Sequence, residues 1–292
     1  MATHDVPGPG GRTLRVYEEG DPAGAPVVVH HGTPAYGALF EPWIRDARER
    51  GIRLIGYDRP GYGGSSPDRG RVVAGAAADV AAIAEALGIE RLATWGISGG
   101  GPHSLACAAL LGDRVVGAAS LGGVAPFDAA GLNYFAGMGE DNVVEFGAAM
   151  QGRDAIEPLA REQAAAMLKA SGPDLVEVMR TLVSPPDAAV LNDGYGAFMS
   201  TSMAAVFAQG HEGWLDDDMA FVTPFGFAVE EIGVPVLVWH GRQDRFVPVA
   251  HGEWLGRHIP GAESRITVDD GHLTLLTERI PEVHAWLLRR FG

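Results

Sequence analysis

Short apolar runs alternate with helical patterns along most of the chain, and this alternation is the strongest constraint on its fold. The runs are continuous and rich in β-branched residues, as expected for strands that are buried on both faces. Six runs are predicted to be strands: Val27 to His30, Arg53 to Tyr57, Leu92 to Trp95, Val115 to Leu121, Val234 to Trp239 and Ser264 to Val268. Helices are predicted between or after them: Phe40 to Arg50, Val73 to Leu87, Pro102 to Leu111, His251 to His258 and Pro281 to Arg290. Right-handed crossovers between such strands predict an α/β fold, with a mostly parallel sheet and helices on both faces.

The alternation of buried runs and helical patterns stops in the middle of the chain. From about Phe127 to Ile232 there are helical segments but no comparable buried run. We therefore predict an inserted helical cap over residues 127–232, between a first part (1–126) and a second part (233–292) of one α/β core. The helices predicted in this cap are Asp154 to Ala170, Pro173 to Leu182, Pro186 to Leu191 and Ala197 to Gln209. At the other end of the core, the segment Thr13 to Glu19 is expected to add an antiparallel edge to the sheet.

Composition excludes several classes of partner. The net charge of −15, from 37 acidic and 22 basic residues, repels polyanions, so nucleic acid is not an expected partner. Cys107 is the only cysteine, which excludes internal disulfides and sites built from several thiolates. The N-terminal residues lack the basic and apolar regions of a signal peptide, and no run of about 18 apolar residues could span a bilayer. We expect no membrane partner, a cytoplasmic location and a small-molecule substrate; the sequence leaves the oligomeric state open.

The motif Gly96-Ile97-Ser98-Gly99-Gly100 is the strongest chemical signal. It matches the pattern GxSxG, and it follows a predicted strand and precedes a predicted helix, which is the context that this motif requires. A serine on such a tight turn projects its hydroxyl above the edge of the sheet, and the glycines let the strand and the helix approach closely. The sequence therefore predicts that Ser98 is a nucleophile.

With this motif and two later ones, the chain resembles the serine hydrolases of the α/β hydrolase superfamily, in particular a capped, esterase-like branch. In that family the nucleophile is followed by an acid and then by a histidine. Here Ser98 is followed by Asp244, in His240 to Pro248, and by His272, in Asp270-Gly271-His272. Each follows a predicted strand, so the three should meet where the parallel strands end. Asp128, after the preceding strand, is the alternative acid.

These residue types suit nucleophilic catalysis. A serine hydroxyl is a poor nucleophile unless a base takes its proton, and an imidazole titrates near neutral pH. The resemblance thus makes His272 the general base and Asp244 the group that orients it. The turn His30-His31-Gly32-Thr33-Pro34 resembles the family's oxyanion-hole turn, with the backbone amides of Thr33 and Gly99 as donors. It lacks the HGGG pattern of some lipases, which argues against a very bulky substrate.

Other polar residues are interpreted as structural. Asp58 and Arg59, in the glycine-rich loop Tyr57 to Ser65, are expected to hold that loop in place. The run Asp216-Asp217-Asp218 could bind the substrate amine of a prolyl aminopeptidase-like enzyme, but it is expected to be a solvated helix start. The histidines His31, His103, His251, His258 and His284 are assigned structural roles, the last three on surface helices, while His211 stays a candidate for contact with substrate. No metal site and no cofactor are predicted.

The sequence favours ester hydrolysis but leaves alternatives open. Seven of the eight methionines and several aromatic residues fall within residues 127–232, which predicts a mainly apolar pocket for a small to medium substrate. A prolyl aminopeptidase-like peptidase, a C–C bond hydrolase and a thioesterase would use the same triad, and haloperoxidase behaviour is a possible side activity of it. A non-catalytic small-molecule receptor is the alternative from a different class, because this fold also hosts binding proteins.

Overall fold

The fold is built on one eight-stranded sheet, seen in a computed structural model that describes residues 2–292. The strands are β1 (Ala2–Pro7), β2 (Thr13–Gly20), β3 (Ala25–His30), β4 (Ile52–Tyr57), β5 (Leu92–Ile97), β6 (Val115–Leu121), β7 (Val236–Gly241) and β8 (Glu263–Thr267). Their order across the sheet is β1-β2-β4-β3-β5-β6-β7-β8. β1 and β2 are antiparallel to their neighbours and all later pairs are parallel. The predicted α/β class, parallel sheet and antiparallel edge are confirmed.

Helices cover both faces of this sheet. The core helices are α1 (Glu41–Glu49), α2 (Gly75–Ala86), α3 (Gly100–Leu110), α10 (Val249–His258), α11 (Thr274–Glu278) and α12 (Ile280–Leu288). Trp43 of α1 and Trp286 of α12 pack with Trp95 on one face. Ile83 of α2 and Leu105 of α3 are buried on the other face. Within residues 2–292, no helix is both long and apolar enough to cross a bilayer.

Six further helices lie between β6 and β7. They are α4 (Glu140–Ala149), α5 (Arg153–Met167), α6 (Gly172–Val178), α7 (Pro185–Leu191), α8 (Gly194–Val206) and α9 (Glu212–Phe221), and we call residues 127–232 the helical insert. Helices α5 to α8 were predicted, but α4 and α9 were not. Apolar residues of the insert pack against Tyr62, Val124 and Val247, which follow β4, β6 and β7. The insert therefore lies over the edge of the sheet where the parallel strands end.

Two histidines that were expected on surface helices are buried, so that expectation was wrong. His251 of α10 and His284 of α12 are both 0% exposed. The His284 ring lies 2.7 Å from an oxygen of Asp46, and the His251 ring lies 2.8 Å from the carbonyl of Tyr134. Each ring is on the core-facing side of its helix, where a polar partner offsets its loss of hydration.

Candidate active site

Ser98 lies on the tight turn between β5 and α3. Its φ is 55°, and it is the one non-glycine residue with positive φ among residues 2–292. A Cβ added at Gly96 would lie 2.0 Å from the carbonyl oxygen of Gly100, and one added at Gly100 would lie 2.1 Å from that of His30. The strand and the helix are thus so close that only glycine fits beside the serine. Backbone strain of about 1–3 kcal/mol at such a residue persists only where the surrounding fold enforces it.

Asp244 and His272 form a buried pair at the same edge of the sheet. Asp244 follows β7 and His272 follows β8, and Nδ1 of His272 lies 2.6 Å from Oδ2 of Asp244. The other carboxylate oxygen accepts a hydrogen bond of 2.8 Å from the Val247 amide. The Phe246 ring stacks on the imidazole, with the ring centroids 4.7 Å apart. These contacts fix the imidazole and leave Nε2 as its available nitrogen, and the ring lines the same cavity as Ser98.

The electrostatic environment of His272 favours proton uptake. Burial of the ring acts to lower its pKa, but the charge of Asp244 and the hydrogen bond to it outweigh burial, so the pKa of His272 is raised above its ordinary value. Asp187 adds a smaller effect in the same direction. The ring is therefore a stronger base than a free imidazole.

Asp187 of α7 holds the backbone beside His272, and the sequence analysis missed it. Its side chain is fully buried and accepts hydrogen bonds from the amides of His272 (3.0 Å), Leu273 (2.7 Å) and Thr274 (3.2 Å). Ser184 donates a fourth hydrogen bond of 2.7 Å. A Ser at the N-cap and an Asp in the first turn, here Ser184 and Asp187 of α7, are ordinary signals of a helix start, so nothing in the sequence tied this carboxylate to a segment 85 residues away.

The turn after β3 lies against the nucleophile turn. A Cβ added at Gly99 would lie 2.4 Å from Oγ1 of Thr33, and one added at Gly32 would lie 3.6 Å from Cβ of Ser98. Thr33 and Gly99 both line the cavity that holds Ser98 and His272. The structure thus brings all five predicted site residues to one edge of the sheet.

Arg59 reaches this turn from the end of β4. Its guanidinium donates to the carbonyl of His31, to the carbonyl of Gly32 (2.9 Å) and to Oγ1 of Thr33 (3.0 Å). It also forms a fully buried ion pair of 2.6 Å with Asp217 of α9. From the sequence, Arg59 was expected to hold its own loop; in the structure it links the β3 turn to the helical insert.

Asp58 and not Arg59 holds the glycine-rich loop. Its carboxylate accepts hydrogen bonds from the amides of Gly37 (2.7 Å) and Gly64 (2.8 Å) and from the hydroxyl of Tyr17 (3.0 Å). These bonds join three segments around the end of β4, as expected for a polar side chain that orders a turn.

The run Asp216-Asp217-Asp218 is buried inside α9, so its interpretation as a solvated helix start was wrong. The three residues are 1%, 0% and 1% exposed. Asp216 pairs with Arg153 at 2.6 Å, and Asp217 pairs with Arg59 and Arg71, each at 2.6 Å. Although burial acts to raise it, these two arginines hold the pKa of Asp217 well below its ordinary value. Asp217 also accepts hydrogen bonds from the hydroxyls of Thr33 (2.6 Å) and Tyr62 (3.0 Å).

The cavity beside Ser98 encloses about 170 Å³ between the sheet edge and the helical insert. Most of its lining is apolar, with Phe146, Phe198, Phe221 and Phe246 among the aromatic residues and Met167, Met179, Met199 and Met203 among the methionines. Acidic groups interrupt this surface at Asp141, Glu145 and Asp218. The arrangement fits a small substrate with a largely apolar body.

Two candidates from the sequence lie away from this cavity. Asp128, the alternative acid, is exposed in a turn after β6. His211 precedes α9 and does not line the cavity. In the part of the chain that the structure describes, no group of three or more His, Cys, Asp or Glu side chains is arranged to hold a metal ion.

Solved structures with similar folds cover nearly the whole chain. The esterase RhEst1 from Rhodococcus sp. ECU1013 superimposes with a TM-score of 0.73, at 22% identity over 99% of each chain. A thermophilic esterase from Thermogutta terrifontis superimposes with a TM-score of 0.72, at 19% identity over 100% of each chain. A bromoperoxidase from Bacillus anthracis superimposes with a TM-score of 0.71, at 22% identity over 100% of each chain. At this level of identity the likeness demonstrates the fold alone.

Sequence comparison gives a short match to a single protein and a long match to a family model. A Synechocystis sp. protein named "Putative non-heme chloroperoxidase" is 35% identical over 89 residues, which is 30% of this chain and 32% of that protein. The family model described as "alpha/beta hydrolase fold" matches residues 25–279, from the first parallel strand to beyond His272. The chain therefore belongs to the alpha/beta hydrolase fold family.

Proposed function

We propose that the protein is a serine hydrolase that cleaves a carboxylic ester of small to medium size and mainly apolar character. The observation that carries the proposal is the site geometry: Ser98, on a strained turn, lines one cavity with His272, whose Nδ1 lies 2.6 Å from Asp244. A nucleophile, a base and a group that orients the base are the parts that acyl transfer needs. In this proposal the helical insert acts as a cap over the site.

The chemistry proceeds through an acyl-enzyme. Oγ of Ser98 attacks the ester carbonyl while Nε2 of His272 takes its proton, and Asp244 stabilises the imidazolium that forms. The backbone amides of Thr33 and Gly99 donate to the oxyanion. His272 then gives the proton to the leaving alcohol as the C–O bond breaks. A water molecule then attacks the acyl carbon while His272 takes its proton. The bond between the acyl carbon and Oγ of Ser98 breaks, His272 returns the proton to Oγ, and the acid is released.

Other reactions of the same triad differ in the group that leaves. A peptidase releases an amine, a thioesterase releases a thiol and a C–C hydrolase releases a carbanion. The solved structures with a similar fold carry names such as esterase, enol-lactonase and bromoperoxidase. We favour an ester because the lining is largely apolar and because two of the solved structures with a similar fold are named esterases. A receptor would share the cavity but show no turnover.

Replacing the nucleophile tests the proposal. We expect Ser98→Ala to lower the turnover of p-nitrophenyl butyrate on the order of a million-fold if the triad acts as a unit, and to abolish labelling by a fluorophosphonate. Ser200→Ala is the matched control, since Ser200 lies in α8 and does not line the cavity. Full activity of the Ser98 variant would refute the nucleophile, and a labelled wild type without turnover of any ester would favour the receptor.

A further inference from the structure

The acidic residues of α9 differ in how their charge is neutralised. Asp216 has Arg153 as a partner, and Asp217 has Arg59 and Arg71. Within residues 2–292, no arginine or lysine forms an ion pair with Asp218. Among the described residues, the fold thus provides arginine ion-pair partners for two of the three consecutive buried carboxylates, whereas Arg71 acts on the third only through its charge, without an ion pair.

Asp218 faces a second buried carboxylate instead of a cation. Its side chain contacts Glu145 of α4, and the residues are 1% and 9% exposed. Nε1 of Trp214 donates a hydrogen bond of 2.8 Å to Oε1 of Glu145. Oδ2 of Asp218 is buried and accepts no hydrogen bond from an N–H or hydroxyl donor among residues 2–292, and the hydrogen-bonding neighbour of the Asp218 carboxyl group is the carboxyl group of Glu145. A buried, unpaired carboxylate oxygen is costly unless a ligand satisfies it.

This acid pair opens into the site. Glu145 and Asp218 line the same cavity as Ser98 and His272, in a wall that is otherwise mostly apolar. Burial and the adjoining Glu145 raise the pKa of Asp218 well above its ordinary value, while burial also raises the pKa of Glu145. Two carboxyl groups in contact resist a second negative charge, so the pair takes up a proton more readily than either carboxyl group would alone.

We propose that Glu145 and Asp218 form a subsite for a protonated amine, so that the ester cleaved at Ser98 carries an ammonium group on an apolar body. This inference rests on the proposed function. An ammonium group has three N–H donors and one positive charge. It supplies the ion-pair partner that Asp218 lacks in the fold and an N–H donor for Oδ2, and its apolar stem packs against the rest of the lining.

Binding of a simple amine tests the subsite without any turnover. The probes are n-pentylammonium and 1-pentanol, which share an apolar stem and differ in charge, titrated calorimetrically into the Ser98→Ala protein at pH 8. We expect the amine to bind about 10- to 100-fold more tightly than the alcohol, the range typical of a hydrogen bond to a charged group. We also expect Asp218→Asn and Glu145→Gln to remove most of this preference and to leave alcohol binding unchanged.

A control in the same helix separates the acid pair from the general negative charge. Glu212→Gln also removes one charge from α9, but its side chain is 50% exposed, so amine binding should not change. Equal binding of amine and alcohol to the parent protein would overturn the subsite even if one of the variants failed to fold. An amine preference that survives both substitutions would overturn it as well.

The two proposals fail in different ways. If the wild type hydrolyses p-nitrophenyl butyrate but shows no amine preference, the esterase stands and the subsite falls. If the amine binds selectively but no ester is turned over, the subsite stands and the esterase falls.

Discussion

At the scale of single residues, the site depends on opposing effects on one imidazole. Burial of His272 disfavours its charged form, while Asp244 at 2.6 Å favours it, and the net result is a raised pKa. The base of the proposed mechanism must be neutral before it can take a proton from Ser98. The contact that orients the ring therefore also moves the pH at which the ring becomes active.

The pH profile tests this effect. Because the pKa of His272 is raised, we expect kcat/KM to fall on the acid side with a midpoint above about 6.5, the ordinary histidine value. The stability that the ion pair contributes has the opposite sign: it is fully present below the unfolded pKa and is lost as pH rises through the folded pKa. A rate that is constant from about pH 5 to 8 would contradict His272 as the base.

Removing the charge of Asp244 tests whether this carboxylate is the cause of the raised pKa of His272, when the pH profile of the variant is compared with that of the wild type. Asp244→Asn should shift the acid limb to lower pH and reduce kcat by about 10⁴-fold, as expected when the imidazole loses its orienting anion. His4→Gln is the control, because His4 is exposed and pairs only with Glu18 at the far edge of the sheet. An acid limb that stays in place in the Asp244 variant would assign it to another group.

At the scale of elements, α9 is coupled to the turn after β3 through Asp217. This carboxylate bonds Arg59, Arg71 and the Thr33 hydroxyl, and Arg59 also holds two carbonyls of the turn. Removing one partner from a buried ion pair leaves an uncompensated charge. The helical insert thus contributes to the position of the proposed oxyanion hole as well as to the wall of the cavity.

Asp217→Asn tests that coupling. We expect it to lower the free energy of unfolding by about 3–5 kcal/mol and, in protein that remains folded, to lower kcat more than it raises KM, because the Thr33 turn loses its support. Asp216→Asn is a matched control, since Asp216 pairs with Arg153 inside the insert and does not contact the turn. If both variants lose stability and neither loses kcat, Asp217 is structural only.

At the scale of the whole molecule, the size of the cavity is set by how closely the helical insert lies on the sheet. The cavity encloses about 170 Å³, less than the roughly 300 Å³ at the lower end of typical ligand pockets. Neither the insert nor the sheet forms it alone, since helices α4, α5, α6, α8 and α9 contribute to one wall and the segments that follow the parallel strands form the other.

A series of p-nitrophenyl esters of increasing acyl length tests this limit. We expect kcat/KM to fall at least tenfold from butyrate to laurate, which corresponds to about 1.4 kcal/mol of lost transition-state binding. Phe198→Ala, which enlarges the apolar wall, should shift the preference toward longer chains. A laurate ester that reacts as fast as butyrate would show that the cavity opens far more widely than the structure describes.

The sequence by itself determined the features that depend on local signals. Hydrophobic runs placed six strands, and the bounds found for each lie within two residues of those predicted. The turn around Ser98 follows from its glycines, and the positions of Asp244 and His272 follow from the strands that precede them. These features are readable because a strand, a tight turn and the meeting of parallel strand ends are encoded by neighbouring residues.

Only the tertiary structure decided which charges are compensated and by what. Asp217 meets Arg59 across 158 positions of sequence, and Asp187 meets the His272 backbone across 85. The run Asp216-Asp217-Asp218 has one composition but three environments, since two members have arginine partners and Asp218 has a carboxyl neighbour. Such pairings depend on how the insert lies on the core, and burial then multiplies the energy of each contact, so sequence spacing alone does not reveal them.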